Sequence, residues 1–241
     1  MAFVISDRRI PRECLASLKD LGFETVLLPS ASEIEEAIAS HTDILLFSAD
    51  GVMITSEKYR QQNKELFSFL EEKLPYRKFI YTKEHPEGNY PQNALFNALV
   101  INDNVFLNKD SVSPAVLNWA RERGMTVTEV KQGYPACTVL PIGSRAAITA
   151  DKGMARAMEK AGIEVTLIEN SEKILLPPYK FGFIGGSAGE FNNEIYFIGD
   201  IEAHPQFEKI KEAIGRAGYK WTSLGKGLGA LYDLGGLVFA G

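Results

Sequence analysis

The chain has 241 residues, 45% of them hydrophobic and 24% charged, which is enough apolar content to bury a large core and too much to read as disordered. Its formal net charge of −5, with short basic stretches interrupted by acids, argues against nucleic acid as a partner, because phosphate binding draws on clustered Lys and Arg. No segment has the length of a membrane-spanning apolar helix and the N-terminus lacks a basic, apolar, small-residue leader, so no membrane partner and a cytoplasmic setting are expected.

From the N-terminus, Phe3 to Ser6 reads as a strand, Pro11 to Leu21 as a helix ended by Gly22, and Glu24 to Leu28 as a second strand. Asp43 to Phe47 and Val52 to Thr55 then form a strand pair, followed by a longer helix through Leu66, Phe67 and Leu70 to Pro75 and a strand over Lys78 to Thr82. The next stretch pairs Asn97 to Ile101 with Val105 to Leu107, places a helix around Val116 to Arg123, stops it at Gly124 and continues as Thr126 to Val130. Thr138 to Ile142 and Ala146 to Thr149 flank the turn Gly143-Ser144-Arg145; Met154, Ala157, Met158 and Ala161 recur at helical spacing before Gly162, and Ile163 to Ile168 is a strand. Phe181 to Gly186, Ile195 to Ile198, a helix from about Pro205 to Ala217, Gly218 and Tyr219 to Leu224 follow the same order. Leu237 to Phe239 is a strand without a helix.

The recurring order is strand, strand, helix, strand. The N-terminal copy lacks its first strand, and the C-terminal strand can supply it, closing a ring that leaves no sheet edge exposed. Residues 1–241 therefore read as one domain. Asp7, Glu57, Asp110, Asp151 and Asp200 share a position at or just before each helix, where a carboxylate accepts backbone N–H bonds and favours the positive end of the helix dipole. The helix-ending glycines supply the left-handed conformation that a helix end often needs.

Two cysteines make no disulfide framework. Cys14 falls on the stripe Ile10, Cys14, Leu18 and Leu21 and reads as a core thiol, whereas Cys137 opens a strand after Gln132-Gly133-Tyr134-Pro135-Ala136. Neither a pair of Cys-x-x-Cys motifs nor a His-x-x-x-His arrangement occurs, so no metal is expected. Gly182 to Gly189 runs into a strand and Gly225 to Gly229 lacks a strand-to-helix setting, so neither is a phosphate loop and no cofactor is expected. Gly185-Gly186 and Gly235-Gly236 instead suit close backbone approach. His85 sits in the charged turn Lys83-Glu84-His85-Pro86-Glu87-Gly88 and reads as solvent-exposed; His204 precedes Pro205 at a helix start, where it can act as an imperfect cap.

Five such units around a pseudo-fivefold axis resemble the pentein fold, the α/β propeller shared by arginine deiminase, dimethylarginine dimethylaminohydrolase, amidinotransferases and a non-catalytic ribosome anti-association factor. More closely, Gln132-Gly133-Tyr134-x-x-Cys137, Ile148-Thr149-x-Asp151-Lys152-Gly153, Gly182-Phe183-Ile184-Gly185-Gly186, Gly199-Asp200, His204-Pro205 and Asp233-x-Gly235-Gly236 resemble an uncharacterised bacterial family related to those enzymes. The fold-level resemblance spans the chain; the motifs cover roughly its second half. It implies a cysteine thiolate that attacks a guanidinium carbon, a histidine that handles protons, and carboxylates that hold the cation. The sequence departs at the C-terminus, where the cysteine of such enzymes follows a glycine pair. Here Gly235-Gly236 is followed by Leu237, Val238, Phe239, Ala240 and Gly241, with no thiol.

A substitute site follows from the repeat. The leading polar residues of the first strands, His41 and Asp43, Asn97, Cys137, Ser187 and Asp233, should gather at one mouth of the ring. Cys137 is then the candidate nucleophile, with His41 or His204 as base and Asp43, Glu190 and Asp233 as anchors for a small cation; Gln132, Tyr134, Gly185 and Gly186 complete the candidate binding residues. The alternative reading of Cys137 is a buried strand residue, since an isolated cysteine is more often packing than chemistry. Three function classes stay open: a thiol hydrolase or transferase acting on a guanidinium or amidine, a catalytically silent small-molecule binder, and a protein-interaction module. The sequence does not give the oligomeric state.

Overall fold

A computed structural model describes residues 2–49 and 51–240; Met1, Asp50 and Gly241 lie outside the described residues. The first unit is β1 (Phe3–Asp7), α1 (Arg12–Asp20) and β2 (Glu24–Leu28). The second is α2 (Thr42–Leu45), β3 (Phe47–Ala49), β4 (Val52–Ser56), α3 (Glu57–Gln62), α4 (Lys64–Lys73) and β5 (Lys78–Thr82). The third is β6 (Leu99–Ile101), β7 (Asn104–Leu107), α5 (Pro114–Glu122) and β8 (Thr126–Glu129). The fourth is α6 (Pro135–Thr138), β9 (Val139–Ile142), β10 (Ala146–Thr149), α7 (Lys152–Lys160) and β11 (Glu164–Leu167), after which comes the short β12 (Ile174–Leu175). The fifth is β13 (Ala188–Phe191), β14 (Glu194–Phe197), α8 (Phe207–Arg216) and β15 (Lys220–Ser223), and the chain ends in β16 (Leu231–Tyr232) and β17 (Val238–Ala240).

Each of the five units builds a three-stranded sheet whose middle strand runs antiparallel to the first and parallel to the third. In the N-terminal unit β17 pairs antiparallel with β1, with Val4 opposite Phe239, so the C-terminal strand does supply the missing first strand. The sheets stay separate, however, and β12 and β16 form a further small pair. No continuous sheet closes on itself among the described residues, so the expectation that every edge disappears is not met: third strands such as β2, with pattern exposed, half-buried, buried, exposed, buried, keep an outer face to solvent.

Apolar burial joins the units. One cluster packs Ile5 and Leu28 of the first unit against Met53 and Phe67 of the second, and the next packs Phe47 and Ile54 against Val105 and Leu107. Further clusters join Phe106 to Val139 and Met154, and Ile148 to Ile195 and Ile210, and the last returns from Tyr196 and Ile198 to Val4 and Leu18. Middle strands such as β1 and β4 are buried along their whole length because both of their faces meet such a cluster. Cys14 lies fully buried in the last of these, where loss of solvation pushes its thiol up to about 12.

Only part of the acidic capping pattern survives. Asp151 caps α7, its Oδ1 accepting from Gly153 N at 2.6 Å and Met154 N at 2.8 Å, and Asp200 caps a short turn through Glu202 N at 3.2 Å. Elsewhere a neighbouring serine does the work: Ser56 accepts from Tyr59 N and Ser113 from Ala115 N, leaving Glu57 in the first helical turn and Asp110 outside its helix. Asp7 is not a cap; it is fully buried and accepts from Arg9 and from Ser40 Oγ at 2.7 Å. Gly22, Gly124, Gly162 and Gly218 follow α1, α5, α7 and α8 with φ between +66° and +87°, as the helix-end reading requires. Because Asp151 also accepts from Gln132 Nε2 at 2.7 Å, Asp151→Ala should lower stability by about 1–2 kcal/mol in urea unfolding; an unchanged midpoint would exclude a capping role.

Candidate active site

The residues assigned to the starts of first strands sit instead in turns that precede them. Thr42–Leu45 and Pro135–Thr138 are single helical turns and Gly185–Ser187 is a 3-10 turn, so Phe181 to Gly186 is not a strand and Cys137 does not open one. Pro135, with its preset φ, occupies the first position of the Cys137 turn, and Thr138 closes it by donating its N–H (3.0 Å) and its hydroxyl (2.7 Å) to Tyr134 O. Turns offer inward-pointing side chains without the alternation of a strand.

Around Cys137 the contacts are polar. Its thiol donates to Asp43 Oδ2 at 2.5 Å. Asn97 accepts from Ala136 N at 2.8 Å and turns its Nδ2 toward Cys137 Sγ at 3.5 Å and Asp43 O at 3.4 Å, which fixes the thiol relative to the carboxylate. Asp233, fully buried, accepts from Phe183 N at 2.8 Å and Gly235 N at 3.3 Å. His41 is 1% exposed, its Nδ1 lies 3.9 Å from Asp233 Oδ1, and neither ring nitrogen has a hydrogen-bond partner. Asp43 Oδ1 is likewise buried without a partner.

Glycines make this closeness possible. Gly235, at φ +73°, passes so near the His41 turn that a Cβ would lie 2.6 Å from Thr42 N and 2.8 Å from His41 Cβ. A Cβ on Gly186 would strike Asp233 Oδ1, and one on Gly185 would strike the carbonyl oxygens of Ala136 and Val139. Those oxygens are backbone and cannot step aside, so Gly185→Ala should cost about 2–4 kcal/mol in denaturant unfolding by displacing the Cys137 turn. Wild-type stability in that variant would show that the turn is free to move.

His41, Cys137 and Asp233 all face a cavity of about 530 Å³, together with Gln132 and Tyr134. Its walls are largely apolar, with Ile38, Ile44, Leu176 and Phe183 among them. In that setting burial pushes Asp233 up to about 7, helped by the charge of Asp43, and Asp43 up to about 6, helped by the charge of Asp7, and it pulls His41 down to about 3. The thiol of Cys137 is raised by burial first and then by the charges of Asp43 and Asp233. Thiol and imidazole therefore rest neutral, and the floor is set to welcome positive charge. Lys180 also lines the cavity, but its side chain is 75% exposed and its ammonium lies 3.5 Å from Glu172.

The remaining candidates divide. Gln132 accepts from Tyr134 N at 3.1 Å, and Tyr134 donates to Asn93 Oδ1 at 2.7 Å, so both are wall residues held by internal bonds. Ser187 is fully buried and donates to Ile184 O at 2.8 Å, away from the cavity. Glu190 is not part of this mouth. It accepts from Gly143 N at 2.7 Å and Tyr219 Oη at 2.9 Å, beside a second hollow of about 210 Å³ that Asp43, Gly185 and Gly236 also line. His204 is buried but accepts from Gln206 N at 3.1 Å, the imperfect-cap arrangement, and does not line the Cys137 cavity. His85 is not solvated either: its ring is 7% exposed and Nδ1 meets Ser56 Oγ at 2.7 Å. Glu35, Tyr179, Phe181 and Phe183 line the cavity without having been singled out as candidates, and Tyr179 Oη donates to Glu35 across its rim. All but Glu35 belong to residues 169–184, a stretch between units that breaks the repeat period.

Over residues 5–238 the sequence matches the profile of a family of unknown function, DUF6873. The chain belongs to DUF6873. Comparison with curated proteins gives no significant match. Among solved structures, this DUF6873 chain is similar to dimethylarginine dimethylaminohydrolase from Pseudomonas aeruginosa, a serine-for-cysteine mutant complexed with citrulline: TM-score 0.58, 10% identity, 94% of this chain and 92% of the other. It also resembles SxtG, an amidinotransferase from Microseira wollei (0.55, 10%, 96% and 93%), and the agmatine deiminase of C. jejuni (0.53, 10%, 92% and 87%). These are pentein-superfamily structures, and the DUF6873 chain has an α/β fold of that kind. Among the described residues, no helix is long and apolar enough to cross a membrane.

Proposed function

We propose that this protein is a single pentein-like propeller of five units, closed by β17, that binds a small guanidinium- or amidine-type cation in the 530 Å³ cavity and cleaves a carbon–nitrogen bond through Cys137. The observation that carries this reading is the meeting of Cys137 Sγ, His41 and Asp233 within 4.8 Å on one cavity wall, with Asp43 Oδ2 at 2.5 Å from the thiol. Asp233 and Asp43 supply the negative charge that anchors the cation. The arriving cation also offsets their pull on the thiol proton, which passes to Asp43 as Sγ attacks the planar carbon. His41, free of other bonds, relays that proton from Asp43 to the departing nitrogen, which leaves as the neutral amine. Water or a second amine then releases the product and restores the thiol.

The test is to incubate the full-length protein with a panel of guanidinium and amidine compounds, following ureido product and the mass of Cys137 peptides. Turnover or a covalent adduct on Cys137 is expected. Neither binding nor adduct across the panel would overturn the reading. Binding without adduct would instead support a silent ligand-binding protein, a reading favoured by the neutral resting states of Cys137 and His41.

A further inference from the structure

Buried imidazoles nearly always find a partner, since an unsatisfied buried polar atom costs about 1–3 kcal/mol. His41 has two such atoms, and it shares its wall with a sulfur and a carboxylate. One ligating atom each from His41, Cys137 and Asp233 lies within 4.8 Å of the others, although the three come from turns more than ninety residues apart in sequence, as the numbering itself shows.

We propose that His41, Cys137 and Asp233 form a binding site for a zinc-type divalent ion, with one coordination position left open to the cavity. The donor set is one nitrogen, one sulfur and one oxygen, which suits a borderline ion such as Zn²⁺ and disfavours Mg²⁺ or Ca²⁺, whose sites are built from oxygens. Three protein ligands with a fourth position open is the arrangement of reactive rather than purely structural zinc sites. In a tetrahedral Zn²⁺ site, ligand atoms lie about 3.5 Å apart; the His41 to Asp233 edge is 3.9 Å, and no two of the three ligand atoms are more than 4.8 Å apart. Asp233 is held in place by Phe183 N and Gly235 N, so it forms the fixed corner. Coordination replaces the Cys137 S–H bond by a metal–sulfur bond, and the displaced proton goes to Asp43 Oδ2, already 2.5 Å from the sulfur.

The site uses side chains of the proposed thiol chemistry but does not rest on it. A metal-bound sulfur has its lone pair engaged, so ion loading and thiol attack compete for Cys137. The motif spacings that mark zinc sites in sequence are absent because each ligand comes from a different unit of the repeat.

The test treats the full-length protein with chelator, removes the chelator, and titrates with Co²⁺ as a spectroscopic stand-in for Zn²⁺. One equivalent should produce a thiolate-to-cobalt band in the near ultraviolet together with visible bands of tetrahedral intensity. Both should vanish in Cys137→Ala and His41→Asn and persist in Cys14→Ala. Zn²⁺ affinity, read by competition with a chromophoric chelator, should fall at least about 100-fold in His41→Asn, beyond what loss of an outer-shell partner causes. In the wild-type protein one equivalent of Zn²⁺ should protect Cys137 from alkylation, a readout that needs no variant to fold. A spectrum without the sulfur band, a band that survives Cys137→Ala, or alkylation unaffected by Zn²⁺ overturns the proposal. None of these results bears on whether the metal-free thiol attacks a guanidinium, which the substrate panel decides separately.

Discussion

Cys137→Ala is expected to lower turnover of any guanidinium or amidine substrate by at least about a thousandfold, because no other thiol reaches the cavity and removing a covalent nucleophile is among the largest single-residue losses an enzyme shows. Cys14, the other cysteine, is fully buried in a separate apolar cluster. The resting protein gives the matching control. A nucleophile activated in advance reacts well below the pH of a free thiol, but burial and the charges of Asp43 and Asp233 act in the opposite direction on Cys137. In chelator, alkylation of Cys137 by a neutral reagent should therefore be slow at neutral pH, and a bound guanidinium too small to cover the sulfur should speed it. Fast labelling at neutral pH without any cation would contradict the charge arrangement; turnover that survives Cys137→Ala would remove the residue from the chemistry.

The second large effect concerns stability. An unfolded Asp loses its proton near pH 4, whereas folded Asp233 keeps it to about pH 7. Between these values the folded state holds the extra proton. The stability associated with protonated Asp233 is thus fully present below about pH 4 and is lost as the pH rises through about 7. Asp43, raised to about 6, acts in the same sense, while His41, lowered to about 3 from its ordinary 6.5, adds stability as the pH rises across that interval. Asp233→Asn removes only the first of these contributions. Relative to wild type, the variant should gain on the order of 2–4 kcal/mol between pH 4 and pH 8, measured by urea unfolding in chelator. The constant cost of placing an amide where Phe183 N and Gly235 N donate cancels in that comparison. A difference independent of pH would show that Asp233 is ionised throughout.

What could be read from the residues depended on how periodic each element is. The third strands Glu24–Leu28 and Lys78–Thr82 match their expected bounds to the residue, since a polar turn and an apolar run delimit each. The helices shift by a few residues at their ends. The expected first strands begin too early, at Asp43, Asn97 and Phe181, because short apolar runs look alike whether they form a strand or the turn before it. That ambiguity mattered little for placing His41, Asp43, Asn97, Cys137 and Asp233 together, because the repeat aligns the turns as well as the strands. It mattered for Glu190, which lies inside β13 and faces the other hollow, and for Tyr179, Phe181 and Phe183 of the stretch 169–184, where no repeat guides the reading. The zinc-type ligand set was illegible for a related reason: spacing rules recognise ligands that share one segment, and these share none.

The five apolar clusters, each spanning two neighbouring units, set a lifetime as well as a shape. His41 and Asp43 come from the second unit, Asn97 from the third, Cys137 from the fourth, and Asp233 from the approach to β17. The constellation therefore exists only while every seam between these units is shut. Opening one such seam would separate residues of the site while the helices and sheets on either side stay formed, so the site lasts only as long as the packing between units does.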